Sequence, residues 1–170
     1  SPRPALPASW KFDATEGNDV VETFHPVANR GRAVGTTWLK GADCYLGGCV
    51  GFSGKADSYV ILPAEVLDGL TDFTVSYWAK GSGKTGTYLF SLALPVNNNY
   101  FLLTGPSEST WSHFVVRRSA GTVTTFRNKV AASGVLHTLE GHPVLQAANG
   151  GLMLGQDQDC AGGCLDAGQA

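Results

Sequence analysis

The 170-residue chain is long enough for one domain with a substantial hydrophobic core. Its apolar content of 43%, with 22 glycines, 8 prolines and only 15% charged residues, is typical of short strands joined by turns rather than of disorder. The formal net charge is −2 without a basic cluster, so we expect no nucleic-acid partner, because binding a phosphate backbone requires clustered positive charge. No apolar stretch reaches the length of a membrane span, so we expect no membrane insertion by this domain.

The chain begins with a proline-rich stretch over residues 1–9, which we interpret as an arm or linker before a single domain over 10–170. Residues 10–12 alternate between apolar and polar side chains and predict the first strand. Residues 13–40 are rich in turn signals and predict a long surface excursion.

From residue 49 onward, alternation of apolar and β-branched side chains predicts a series of short strands. The clearest covers 73–79, with one face formed by Phe73, Val75, Tyr77 and Ala79. Residues 63–67 predict a short helical turn, and the turn at 119–121 predicts a hairpin. The other predicted strands are 49–52, 59–62, 87–93, 100–104, 111–117, 122–128, 130–136 and 151–155, with a loop at 95–99. Short strands at this spacing favour an antiparallel sandwich or jelly roll over an α/β fold.

The four cysteines form two close pairs that each enclose Gly-Gly, Cys44 with Cys49 and Cys160 with Cys164. Such pairs favour disulfides in an oxidising compartment. A four-cysteine zinc site is the alternative, but structural zinc sites usually separate paired thiolates by about two residues, and the spacers here are longer. The Gly-Gly pairs let the chain fold back tightly, which favours these local pairings over two long-range bridges.

The segment from Gln156 to Gln169 is rich in oxygen-bearing side chains, including the carboxylates of Asp157, Asp159 and Asp166. An extended chain points Asp157 and Asp159 to the same side. Three like charges held together are unfavourable unless a cation neutralises them. Ca²⁺ takes about six to eight oxygen ligands from such loops, so the segment is a candidate calcium site. A solvated acidic turn is the alternative.

Several motifs resemble those of pentraxin and laminin-G domains. Residues 54–63, which end in Leu-Pro, and 70–79, which contain Phe-Thr-Val-Ser, look like the opening strands of that sandwich. Trp-Ser-His at 111–113 is similar to the family's Trp-x-His hairpin. The most specific match is Gly-Gln-Asp-Gln-Asp, then Gly-Gly, an acid and a glutamine, over residues 155–169. The resemblance covers roughly residues 45–170 and is greatest to the pentraxin-like modules of adhesion-type G-protein-coupled receptors.

The resemblance implies a two-sheet antiparallel jelly-roll sandwich with a calcium site. Five of its ligands would come from residues near the end of the chain: Asp157, Gln158, Asp159, Asp166 and Gln169. Gln158 would contribute its backbone carbonyl and the other four their side chains. The family's remaining ligands, an Asp-Asn pair, align with Asn98 and Asn99. Asn98 therefore replaces a carboxylate, and the loss of one negative ligand weakens Ca²⁺ binding. A bridge between Cys160 and Cys164 would pre-organise the loop with or without the metal.

The chain departs from the family's pattern in three places. Ser76 stands where the family has a cysteine, and no cysteine follows His113, so the core disulfide of pentraxins is absent. The chain is short between Leu103 and Trp111, where the family has an additional strand pair, and it ends at Ala170, before the family's closing strands. An omitted segment and a true deletion are the two alternatives. A jelly roll without those strands exposes sheet edges and part of its core.

The resemblance implies an extracellular ligand-recognition or adhesion module of a cell-surface receptor. Its expected ligand is an extracellular protein, a glycan or an anionic head group, and Ca²⁺ at 155–169 would bridge the ligand or fix the loop. The first alternative is a metal-free structural or protein–protein interaction domain with a disulfide-locked acidic loop. The resemblance to pentraxins implies that such a domain could assemble into homo-oligomeric rings. The second alternative is a secreted sugar-active enzyme.

We expect no enzymatic activity. Acyl transfer requires a Ser or Cys beside a His and an orienting acid, and the sequence has no nucleophile-elbow pattern. A glycosidase requires two facing carboxylates, and the five glutamates are isolated from one another. Trp78 and Trp111 lie in strand patterns and are expected in the core, which leaves Trp38 as the exposed candidate for stacking on a sugar.

Overall fold

An all-β, antiparallel architecture characterises the part of the chain that the computed structural model describes, residues 7–83, 88–94, 97–132, 151–156 and 165. Within these ranges the regular elements are β-strands and two short 3-10 helical turns, at Gly41–Asp43 and Ala64–Val66. Every strand pair is antiparallel. The predicted all-β class and the helical turn within 63–67 are therefore confirmed.

The largest sheet contains seven of the described strands. Their order across the sheet is β1 (Trp10–Glu16), β2 (Asp19–Glu22), β3 (Gly31–Val34), β6 (Tyr59–Leu62), β13 (Leu152–Leu154), β8 (Tyr88–Leu94) and β9 (Asn97–Thr104). Leu152 of β13 lies opposite both Leu62 and Leu92. The last described strand therefore joins two parts of the sheet that are built from much earlier residues.

A second sheet contains four described strands, in the order β12 (Val130–Ala132), β11 (Thr122–Arg127), β10 (Ser112–Ser119) and β7 (Phe73–Ala79). The predicted hairpin is present, since Ser119 of β10 lies opposite Thr122 of β11. A smaller antiparallel hairpin is formed by β4 (Thr37–Lys40) and β5 (Gly48–Gly51).

The prediction of a long surface excursion over 13–40 is wrong. The first strand continues to Glu16, and β2, β3 and β4 all lie within this stretch. Val20 and Ala33 alternate with more exposed neighbours and are buried in the core. Strands of four residues between Gly and Asn turns have too few alternations to be distinguished from the turn signals around them.

The two larger sheets share one hydrophobic core. The seven-stranded sheet contributes Val60, Leu92 and Leu152, and the four-stranded sheet contributes Phe73 and Val116. Removing such side chains from water is the main favourable term in folding, at roughly 25 cal/mol per Å² of apolar surface. The two sheets are therefore held together by contacts between residues far apart in sequence.

β7 follows its predicted alternation residue by residue. Phe73 and Ala79 are buried and Val75 and Tyr77 are half-buried, whereas the three residues between them are exposed. Burial raises the pKa of Tyr77 well above its ordinary value, because a phenolate would lose its hydration there. β7 therefore presents one face to the core and the other to solvent.

One carboxylate is fully buried at the end of β2. Glu22 is 0% exposed and accepts hydrogen bonds from the backbone N–H of Ser9, at 2.7 Å, and from that of His25. Burial alone raises the pKa of Glu22. The backbone N–H groups of Ser9, Phe24 and His25, with the nearby imidazole, together lower that pKa below its ordinary value of 4.5. The carboxylate thus joins the residues before β1 to the turn after β2.

We expect the substitution Glu22→Gln to lower the free energy of unfolding by about 1–3 kcal/mol near neutral pH, because it removes a charged acceptor from buried N–H donors. The folded pKa of Glu22 lies below the unfolded one, so the charged group stabilises the fold above the unfolded pKa. That contribution is lost as pH falls through the folded value. The gap between wild-type and variant urea midpoints should therefore narrow between about pH 7 and about pH 3. A gap that stays constant over this pH range would contradict the lowered pKa of Glu22 in the folded state. The control is Glu65→Gln, at an exposed site.

Candidate functional site

Most of the predicted calcium ligands lie outside the described residues. This group comprises Asp157, Gln158, Asp159, Asp166 and Gln169, and the cysteines Cys160 and Cys164 lie outside as well. The structure does fix the point at which the acidic segment begins. Gly155 donates its backbone N–H to the Leu89 carbonyl at 2.9 Å, and Gln156 is fully buried.

Gly155 is required at this exit from the sheet. Its φ of +79° lies in the left-handed region, and a Cβ built on it would lie only 2.2 Å from the Phe52 ring. A side chain at this position would therefore clash as well as strain the backbone. The start of the acidic segment is held between Leu89 and Phe52 rather than in open solvent.

The other two predicted ligands, Asn98 and Asn99, lie in strand β9 rather than in the predicted loop. β9 begins opposite the Leu94 end of β8, since Asn97 pairs with Leu94. Gly155, by contrast, bonds to Leu89 near the other end of β8. From Leu89 to Leu94 the extended chain of β8 spans roughly 16 Å. A calcium site shared by Asn98, Asn99 and the acidic segment therefore requires the residues after Gln156 to return along the sheet.

Within the ranges that the structure describes, no group of three or more His, Cys, Asp or Glu side chains is placed to hold a metal ion. The calcium site at 155–169 therefore stays a prediction. The described residues instead bring together a different set of side chains, which sequence reasoning missed.

The predicted local disulfide between Cys44 and Cys49 is confirmed. It closes the loop between β4 and β5, which carries Tyr45 and Leu46 at its tip. Leu46 is 83% exposed, so the loop presents apolar side chains to solvent rather than to the core. The covalent bond limits the conformations of this loop and so fixes the position of Tyr45.

Tyr45 stacks on Trp78, with ring centroids 3.5 Å apart and planes 12° from parallel. The ring centroids of Trp78 and His113 are 5.0 Å apart, and those of Tyr45 and Trp111 are 6.5 Å apart. We call Tyr45, Trp78, Trp111 and His113 the aromatic surface. Tyr45 is 51% exposed and Trp78 is 42% exposed, so both rings remain accessible to a partner.

The expectations for three tryptophans are corrected by this geometry. Trp78 was expected in the core, but it occupies an even-numbered position of β7 and points away from the core. Trp38 was expected to be exposed, but it is half-buried, packs against the core and lies 6.3 Å from the Phe12 ring. Trp111, also expected in the core, is half-buried within the aromatic surface. The alternation that predicted the buried face of β7 could also have placed Trp78 on the opposite face.

Polar groups surround the aromatic surface. The Ser76 hydroxyl and the His113 Nε2 lie 2.8 Å apart across β7 and β10, and Asn128 accepts the His113 backbone N–H. Lys80 places its Nζ 5.2 Å from the Trp111 ring centre and donates to the Asp43 carbonyl at 3.3 Å. The surface thus combines flat apolar rings with donors and acceptors at its border.

The Ser76–His113 pair alone does not constitute a catalytic triad. A triad requires an acid that orients the imidazole and donors that stabilise an oxyanion. Among the described residues, no carboxylate is bonded to His113. Ser76 stands where the resemblance places a cysteine, and its hydrogen bond with His113 connects β7 to β10.

No protein-family model and no curated protein matches this sequence. The resemblance to pentraxin and laminin-G domains therefore stays a prediction. In the described part of the chain, no helix has the length and apolar character needed to cross a membrane.

We expect the double substitution Cys44→Ser and Cys49→Ser to lower the free energy of unfolding by about 2 kcal/mol, because a short covalent loop is lost. Tyr45 would leave its stack on Trp78, so the near-ultraviolet circular dichroism of the folded protein should decrease and acrylamide should quench tryptophan more strongly. Tyr45→Ala, with the disulfide intact, is the matched control for the optical change alone. An unchanged near-ultraviolet spectrum in the double variant would mean that the disulfide does not position Tyr45.

Proposed function

We propose that the chain is an extracellular ligand-recognition module of a cell-surface receptor, with a two-sheet jelly-roll fold of the pentraxin and laminin-G type. The observation that carries the proposal is the stacking of Tyr45 on Trp78, two rings that remain about half exposed. Several large rings gathered at the surface of a soluble domain usually mark a contact with a partner.

The fold and the disulfide support this proposal in different ways. Two antiparallel sheets that share one core are the layered arrangement from which a jelly roll is built. The bond between Cys44 and Cys49 is of a kind that persists in oxidising compartments such as the cell surface. A jelly-roll module outside the cell is consistent with both features.

A glycan is the ligand class that suits the aromatic surface best. The C–H groups on one face of a sugar ring pack against a flat aromatic ring, while its hydroxyls need hydrogen-bonding partners at the border. Ser76, His113 and Lys80 supply such groups next to Trp78 and Trp111. The positive charge of Lys80 favours a sugar that carries an acidic group.

The role that we propose is binding without catalysis. An accessible ring stack on the outer face of a sheet offers contact area, whereas catalysis needs reactive groups that converge on one bond. Ser76 and His113 lie on neighbouring strands and serve in this proposal as border hydrogen-bonding groups.

The acidic segment enters the proposal as a calcium-binding element. Asp157 follows directly on Gln156, which is buried, so the segment starts from a fixed position. Calcium affinity rises with the number of charged ligands, so a site that includes Asn98 in place of a carboxylate would bind weakly. The competing proposal is a metal-free structural or oligomerisation module whose acidic segment is held by Cys160–Cys164.

Binding of the folded chain to a glycan array tests the recognition proposal. We expect signals for a subset of glycans, and we expect Trp78→Ala to weaken them by about tenfold or more, because a stacked ring at the centre of a contact contributes strongly. Val130→Ala is the matched control, since Val130 is 69% exposed but lies on β12, outside the aromatic surface. Absence of any glycan signal, or equal loss in both variants, would contradict the glycan assignment.

Thermal unfolding with Ca²⁺ and with a chelator separates the calcium-binding form from the metal-free form. A ligand present at about 100 times its dissociation constant stabilises the folded state by about 2.7 kcal/mol, which raises the melting temperature by several degrees. We expect this rise in the wild type and its loss in a variant with Asp157→Asn and Asp159→Asn. A melting temperature that Ca²⁺ does not change would favour the metal-free module.

A further inference from the structure

The hairpin of β4 and β5 carries one ring of the aromatic surface. Its loop, which the disulfide closes, places Tyr45 on Trp78 of the four-stranded sheet. Among the described strands, β4 and β5 pair with each other and with neither larger sheet. The position of Tyr45 therefore depends on the side-chain contacts that hold this hairpin in place.

Two adjacent residues of β1 contact both strands of the hairpin. The Phe12 ring lies 6.3 Å from the Trp38 ring of β4, measured between centroids. The Oδ1 of Asp13 accepts a hydrogen bond from the backbone N–H of Gly48 on β5. Since β1 belongs to the seven-stranded sheet, these contacts tie the hairpin to that sheet, while the loop of the hairpin stacks on the other one.

The backbone of β1 is distorted where these contacts are made. Phe12 has a φ of +57°, in the left-handed region that bulky side chains rarely adopt. The pairing of β1 with β2 shifts its register between Trp10 and Thr15, on either side of the same residue. An irregularity of this kind changes the direction of nearby side chains, and it persists only where surrounding contacts hold it. The next residue is Asp13, whose carboxylate contacts the hairpin.

Two glycines of the disulfide-closed loop make room for β1. A Cβ on Gly47 would lie 2.3 Å from the Oδ1 of Asp13, and one on Gly48 would lie 2.6 Å from the Phe12 carbonyl oxygen. Side chains at these two positions would therefore push β1 away from the loop. The Gly-Gly pair, predicted to let the chain fold back for the disulfide, has a second role as the contact site for β1.

The disulfide and the Asp13 contact restrain the loop in different ways. The bond between Cys44 and Cys49 limits the internal conformations of the loop. The hydrogen bond from Gly48 to Asp13 instead fixes where the loop lies relative to β1. Gly48 directly precedes Cys49, so a displacement at Gly48 is passed through the closed loop to Tyr45. The ring stack requires both restraints.

We propose that Asp13 is a positioning residue of the glycan site, an inference that rests on the proposed function. Its carboxylate holds Gly48, and with it the disulfide-closed loop, at the place where Tyr45 stacks on Trp78. Asp13 acts through the loop and not by contact with the glycan. Binding at the aromatic surface is thereby coupled to the conformation of the first strand.

Near-ultraviolet circular dichroism measures the ring stack without any glycan, and Tyr45→Ala defines the full loss of the stacking signal. We expect Asp13→Ala to lose most of that signal. Asp13→Asn should retain it, because asparagine keeps an oxygen acceptor for the Gly48 N–H. In a Tyr45→Ala background, Asp13→Ala should cause no further change. The control is Asp19→Ala, which removes an ion pair with Arg30 instead of the loop contact.

Two glycines provide a matched pair of variants on the side of the loop. Gly41 and Gly47 have similar left-handed φ angles, +63° and +66°, but a Cβ on Gly41 meets nothing within 4 Å. Alanine strains the backbone similarly at both positions, and only at Gly47 does it displace the Asp13 carboxylate. We expect Gly47→Ala to reduce the stacking signal and Gly41→Ala to preserve it. Once Asp13→Ala has removed the carboxylate, Gly47→Ala should cause no additional loss.

Binding to the glycan array connects Asp13 to the proposed function. Asp13→Ala should weaken the glycan signals by about fivefold, the effect of one lost hydrogen bond, and Asp13→Asn should restore them. A folded Asp13→Ala variant that keeps the full stacking signal would overturn the proposal, as would equal losses in the Ala and Asn variants or in the two glycine variants. Thermal melting shows which variants fold, and the glycine pair carries the test if Asp13→Ala does not. A stacking signal that falls as expected, in a protein whose wild type binds no glycan, would refute the glycan proposal alone.

Discussion

The packing of one face of β7 against the core of the seven-stranded sheet is the constraint on which the rest of the structure depends. Phe73 and Ala79 are buried by that contact, so the alternate residues Thr74, Ser76 and Trp78 are directed to solvent. A shift of one residue in the register with β10 would bury Trp78 and expose Phe73. The apolar surface that would then be exposed makes such a shift unfavourable, and the position of the aromatic surface follows from this register.

The strands rich in β-branched and aromatic residues were predictable from the sequence, and β2 and β3 were not. Residues 59–62 and 73–79 were predicted with the bounds that the structure shows. The first is apolar throughout, the second has apolar residues at alternating positions, and both have clear turn signals beside them. β2 and β3 contain charged residues among their four, and their buried residues, Val20 and Ala33, reach the core through pairing with neighbouring strands. Local pattern cannot reveal such pairing, because it depends on residues far away in the chain.

The candidate site was less predictable than the fold, for a different physical reason. Close spacing and Gly-Gly predicted the Cys44–Cys49 bond, which is a local property of the chain. The contact between Tyr45 and Trp78 joins residues 33 positions apart, and it depends on where the β4–β5 loop lies relative to β7. Spacing within a segment carries no information on that placement. The acidic segment at 155–169 was predicted from composition and resemblance, and apart from residues 155, 156 and 165 it lies outside the described residues.

A single strand thus connects two different chemical environments. Its inward face is apolar and part of the core, and its outward face carries an exposed aromatic ring. A charged residue on the inward face of β7 would disrupt the core. On the outward face, a charge at Ser76 or Trp78 would interrupt the contacts with His113 and Tyr45. The absence of charge in β7 is therefore what both the core and the aromatic surface require.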